Sequence, residues 1–114
     1  MTTTHEPPAP DLGISGPREM EATLDGYAWL PRMIDKARAA RAGTLGDFIY
    51  PCPIDRACLT RLGLDAETFA DVASEFTRDG AILAELRRRG VPPAAQAWFD
   101  APALEQTLQH GVDP

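Results

Sequence analysis

Prolines and glycines punctuate this chain so often, eleven of the former and nine of the latter in 114 residues, that regular structure must come in short pieces. A proline fits the first turn of a helix and blocks it further in, while a glycine readily takes the left-handed conformation that ends one. Pro31 therefore limits the start of a first helix to between Tyr27 and Pro31, and Gly43 ends it. Between them Leu30, Met33, Ile34 and Ala37 recur at helical spacing. Pro53 suits the first position of a second helix running to Gly63, with Asp55 in the first turn, where a carboxylate meets the positive helix end. Asp65 predicts the N-cap of a third helix, whose apolar face reads Phe69, Val72, Ala73 and Phe76 and whose end falls near Asp79-Gly80. Ala81 to Arg89 repeats the pattern, with Ile82, Leu83 and Leu86 inward and Gly90 as cap. Two shorter helices follow, around Ala94 to Phe99 and Pro102 to His110. Phe48-Ile49-Tyr50, between Gly46 and Pro51, reads as a short extended connector, and no strand set able to form a sheet is visible. The expected fold is all-α: a compact bundle of four to six short helices with one extended connector.

A chain of this length fits one domain and buries roughly two-thirds of the surface its unfolded form exposes, enough to fold without staples. Residues 1–16 are rich in Thr, Pro and Gly, with Leu12 and Ile14 as their one apolar pair. A flexible N-terminal arm is expected there, with a single helical domain over 17–114. No apolar run approaches the ~18 to 20 residues of a membrane span, so no membrane partner is expected. The first ten residues lack the basic start and apolar stretch of a secretory signal, and the expected location is the cytoplasm. A net charge of −6 argues against nucleic acid as a partner, because such binding needs a basic face to displace counterions from phosphates. The charge is uneven, however. Residues 29–62 carry six bases against three acids, and ten of the eleven bases in the chain are Arg, leaving Lys36 as its one lysine.

That cationic segment holds the densest polar cluster on any expected helix. Arg32 and Lys36 lie one turn apart, Asp35 is three residues from Arg32, Arg38 follows, and Tyr27 and Trp29 precede them. A carboxylate flanked by two cations could hold an anionic ligand; the alternative is a solvated helix face with an ordinary i,i+3 ion pair. Tyr50-Pro51-Cys52-Pro53-Ile54-Asp55 is the most distinctive string in the chain. It puts Cys52 at a helix N-cap, a position suited to a nucleophile or redox group. Against that role stand the adjacent Asp55, the lack of a C-x-x-C partner and the lack of a nearby histidine; a small buried cysteine at a helix start is the other reading. Cys58 reads as core, and both thiols as reduced. His5 and His110 lie near the two ends, which disfavours a His-based triad or metal site. Nucleotide and hydrolase signatures are absent, Arg87-Arg88-Arg89 has a sufficient role at a negative helix end, and no cofactor or metal is expected.

The string from Leu24 to Ala39, containing Leu30-Pro31-Arg32-Met33-Ile34-Asp35-Lys36, followed by Tyr50-Pro51-Cys52-Pro53-Ile54-Asp55 and Leu62-Gly63-Leu64, resembles the bacterial family called Domain of Unknown Function 5069. The likeness covers about residues 17–100. The family supplies no activity, but the resemblance implies that Arg32, Asp35, Lys36, Tyr50 and Asp55 belong to its pattern. Two functions are then expected to compete. In one, the protein is a small enzyme or ligand-binding protein with a pocket between the first helix and the Tyr50 to Asp55 turn. Arg32 and Lys36 hold an anionic small molecule, Asp35 or Asp55 acts as base or orienter, and Tyr27, Trp29, Tyr50 and Cys52 complete the wall. In the other it is a non-catalytic adaptor for a protein partner, recognisable by Trp29 and Trp98 exposed on one patch.

Overall fold

A computed structural model of the chain describes residues 9–109. Both histidines, and the first eight residues of the expected arm, lie outside the described residues. The expected helices form: α1 (Leu30–Ala42), α2 (Pro53–Leu62), α3 (Ala66–Glu75), α4 (Asp79–Arg88), the single-turn α5 (Ala94–Ala97) and α6 (Ala101–Gln109). Pro31 and Pro53 sit in first turns, and Gly43 and Gly63 close α1 and α2. The Asp65 carboxylate caps α3 by accepting the Thr68 N–H.

α1 is the central element and packs chiefly against α3, which in turn leans on α4. Their shared core is Leu30, Met33, Ile34 and Ala37 from α1, Phe69, Val72 and Ala73 from α3, and Ile82 and Leu86 from α4, all buried. Each large apolar side chain in such a core contributes about 1.5–3 kcal/mol. α2 adds Ile54, Cys58, Leu59 and Leu62, and α5, α6 and the link between them close over it with Ala97, Ala101 and Phe99.

Three features depart from the sequence reading. A minimal antiparallel hairpin precedes α1: β1 (Thr23–Leu24) pairs with β2 (Tyr27–Ala28), Leu24 opposite Tyr27. Its turn, Asp25-Gly26, has positive φ at both residues (50 and 87), the mirror-image geometry that suits the twist of two-residue hairpin loops. Strands of two residues are too short to carry an alternating pattern, so periodicity could not reveal them.

The packed part of the chain also begins earlier than Pro17. Leu12 is buried, its N–H donates to Thr44 O at 2.9 Å, and Thr44 Oγ1 donates to Pro10 O at 2.7 Å. One apolar side chain and two hydrogen bonds thus seat residues 10–14 against the C-terminal end of α1.

α3, finally, ends at Glu75, four residues before Asp79-Gly80, and Asp79 opens α4 instead. The cause lies on α1. The Arg38 guanidinium donates to Ala73 O at 2.8 Å, to Phe76 O and to Thr77 O at 3.1 Å, satisfying carbonyls that a continuing helix would have used. Phe76 is accordingly extended and half-buried.

Candidate functional site

α1 and the first turn of α2 meet at a buried ion pair. Lys36 Nζ lies 2.8 Å from Asp55 Oδ2, with the side chains 4% and 0% exposed. Local geometry at the start of α2 puts the carboxylate there. Cys52 is the N-cap; its sulfur accepts the Asp55 N–H at 3.5 Å, and Asp55 Oδ2 accepts the Cys52 N–H at 2.9 Å. This reciprocal arrangement is a capping box with sulfur in the place usually held by a hydroxyl. The other carboxylate oxygen, Oδ1, accepts the Trp29 indole N–H at 2.7 Å. Lys36 donates in addition to Cys52 Sγ at 3.2 Å, and its ammonium stands 5.8 Å from the Trp29 ring centroid. A buried ion pair is tolerable only when its remaining donors and acceptors are met, and three donors converge on Asp55 here. Trp29 reaches this position with a left-handed backbone, φ 72, a conformation that costs a bulky residue about 1–3 kcal/mol. The indole hydrogen bond and its full burial offset that strain.

The neighbouring charges of α1 do not join this group. Asp35 turns to Arg18, whose N, Nε and NH2 donate to it at 2.8, 3.0 and 3.0 Å, while NH1 of the same guanidinium donates to Asp79 at 2.6 Å. These partners, the hydrogen bond to Asp79 foremost, hold the Arg18 pKa above its ordinary value against the opposing effect of burial. Arg32 lies between two rings, 5.4 Å from the Trp29 centroid and 5.6 Å from that of Phe48. Its NH1 donates to Arg18 O at 2.9 Å, but its Nε, closed off from solvent, has no acceptor among the described residues. The expected trio of Arg32, Asp35 and Lys36 is therefore neither one anion cradle nor a solvated face. Each side chain leaves the helix in its own direction and finds a partner distant in sequence.

The other expected residues also separate. Tyr50 faces α3, donating its hydroxyl to Ala66 O at 2.8 Å; burial, aided by the Asp55 charge, pushes its pKa well up. Tyr27 is buried on the hairpin side, its hydroxyl donating to Pro92 O at 2.5 Å. Cys52 is half-buried, and Cys58 is core, its thiol pushed up to about 12 by burial and then by the Asp55 charge. A shallow groove of about 220 Å³ does lie between α1 and the Tyr50-Pro51 connector, but Arg41, Tyr50, Pro51 and Glu67 line it, and Lys36 and Asp55 do not. Trp29 is 3% exposed and Trp98 56%, so the two tryptophans do not share an exposed patch.

Two participants escaped the sequence reading. Arg18, the partner of Asp35, is seventeen residues away with no local pattern to mark it. Phe48 reads from the sequence only as part of the connector. A signal for the Lys36–Asp55 pair existed in principle: a lone lysine on the apolar side of α1 and a lone acid in the first turn of α2.

Fold and site together define a small, mainly helical protein organised around a buried Lys–Asp pair that also holds a half-buried cysteine. The chain belongs to the family described as Domain of unknown function (DUF5069), whose model matches residues 14–101, from the N-terminal turn to the first residue of α6. A comparison with curated proteins finds no match. Among the described residues no helix is long and apolar enough to cross a membrane.

Proposed function

We infer that the protein binds an anionic small molecule, a carboxylate or a phosphate, at Arg32, where α1 meets Phe48 of the connector. The observation that carries this reading is the state of Arg32. It is a half-buried guanidinium, steadied by two aromatic rings, with a buried Nε–H that meets no acceptor and a charge that meets no carboxylate among the described residues. A buried donor left unpaired costs about 1–3 kcal/mol, more when charged, and an acceptor brought by a ligand removes that cost. A planar fork held between rings suits the two oxygens of a carboxylate or phosphate group. Lys36 is not a second ligand cation in this reading, because Asp55 already neutralises it. The two free cysteines accord with a reducing compartment, and we assign the activity to the cytoplasm on that ground.

Thermal melting of the wild type and of Arg32→Met, titrated with inorganic phosphate and with small mono- and dicarboxylates, tests the assignment. An anion at a hundred times its dissociation constant stabilises by about 2.7 kcal/mol, roughly 10 °C for a domain of this size. The wild type should rise and Arg32→Met should not. A wild type indifferent to every anion, or an equal rise in both proteins, rejects the site.

A further inference from the structure

Lys36 and Cys52 stand in a relationship that anion binding at Arg32 does not use. The amine nitrogen and the sulfur are 3.2 Å apart, close enough for a single bridging atom to join them with little movement of either. Neither group is free to drift. Lys36 is 3% exposed as a residue and anchored on Asp55 at 2.8 Å, and Cys52 is fixed as the N-cap of α2. Cys52 is nevertheless half-buried as a residue rather than sealed in the core. Cys58, the other thiol, is buried in the core and bonded to Ala28 O, and so is a poor competitor for a small oxidant.

We propose that Cys52 and Lys36 form a reversible covalent bridge through one oxygen atom, sulfur to oxygen to nitrogen, when the protein meets dioxygen or a peroxide. The balance is complete with dioxygen as oxidant. The S–H bond and one N–H bond break, S–O and O–N bonds form, one oxygen atom becomes the bridge and the other leaves as water with those two hydrogens. The ammonium gives its additional proton to Asp55 Oδ2, already its hydrogen-bond partner. With hydrogen peroxide, two equivalents supply the same oxidation and leave three waters. The bridge converts the buried ion pair into a neutral amine and a neutral carboxyl group, and it ties the middle of α1 to the start of α2. Four equivalents of a thiol reductant return both side chains to their starting state: the S–O and O–N bonds break, the bridging oxygen leaves as water, the sulfur and the nitrogen regain their hydrogens, two reductant disulfides form, and Asp55 returns its proton to the amine.

The unusual composition of the chain makes the test direct, because Lys36 is its single lysine. The folded wild type is exposed to air or to dilute hydrogen peroxide, denatured without reductant, and examined by intact mass, by amine labelling and by digestion with a lysine-specific protease. The bridge predicts a gain of one oxygen with a loss of two hydrogens, loss of the Lys36 amine to labelling, and loss of the cut after residue 36. All three revert with a thiol reductant, and all three vanish in Cys52→Ser. Lys36→Arg, checked for folding by circular dichroism, should lack the mass change. A gain of oxygen with the Lys36 amine still reactive means simple sulfur oxidation and overturns the proposal. So does a loss of two hydrogens without oxygen, which is a disulfide or a direct sulfur–nitrogen bond, or no change at all. No anion is present in these experiments, so their outcome is separate from that of the Arg32 titration.

Discussion

Lys36 and Asp55, nineteen residues apart, form the one ion pair among the described residues in which both side chains are buried. Asp55 belongs at the same time to the cap of α2 and to the indole N–H of Trp29, so one carboxylate joins three parts of the core.

Lys36→Met leaves that carboxylate without its counter-charge, and removing one partner of a buried pair costs about 3–5 kcal/mol. Asp55→Asn should cost a similar amount. Because each single change strands the other partner, Lys36→Met with Asp55→Asn should cost less than the sum, by about 0.5–3 kcal/mol. Urea denaturation of the four proteins measures the coupling, and strict additivity would contradict it. Lys36→Arg should also destabilise, since a wide planar fork does not fit a space shaped for a compact ammonium.

Arg38 ends α3 from a neighbouring helix, so its loss should be felt there. Arg38→Met should destabilise by about 2 kcal/mol, the scale of hydrogen bonds made by a charged donor. Hydrogen exchange should quicken at the last turn of α3 before anywhere on α1. Uniform exchange rates in the variant would count against a capping role.

The N-terminal turn offers a paired contrast. Leu12 is 4% exposed and Ile14 is 82% exposed. Leu12→Ala should cost about 2 kcal/mol, at the low end for a buried leucine because the site is near an edge, whereas Ile14→Ala should stay within about 0.5 kcal/mol. Gly46→Ala should join Leu12→Ala, because a Cβ there would stand 2.8 Å from Gly13 Cα on a backbone with φ 62. Thermal melts of the three variants decide the matter, and equal behaviour of Leu12→Ala and Ile14→Ala would mean that the turn does not pack.

At alkaline pH Cys58 should weaken the fold. Its thiol is raised from 9.0 to about 12 by burial, so above pH 9 the unfolded chain releases a proton that the folded chain keeps. Stability from this group is full below the unfolded value and is lost as pH rises toward about 12. Urea midpoints measured from neutral pH upward should fall more steeply in the wild type than in Cys58→Ala. In the folded protein at neutral pH a thiol reagent should reach half-buried Cys52 before Cys58. Parallel midpoint curves, or labelling of Cys58 first, would refute these expectations.

The helical framework was legible from local chemistry. Pro31 and Pro53 in first turns, Gly43 and Gly63 as stops and Asp65 as a cap each act within a few residues, and a local rule reads them directly. The N-cap position of Cys52 and the core position of Cys58 follow the same way. The partners of the charged residues were not legible, because spacing on a helix says which side chains share a face and not what the rest of the chain brings to it. Arg32, Asp35 and Lys36 are neighbours on α1, yet Asp35 goes to Arg18, Lys36 to Asp55 and Arg32 to the rings of Trp29 and Phe48. The end of α3 at Glu75 and the seating of Leu12 likewise depend on groups more than thirty residues away, Arg38 and Thr44. Short-range hydrogen bonding and hydrophobic periodicity thus drew the helices, while burial, which makes an unpaired charge too costly to leave alone, chose the partner for each ion.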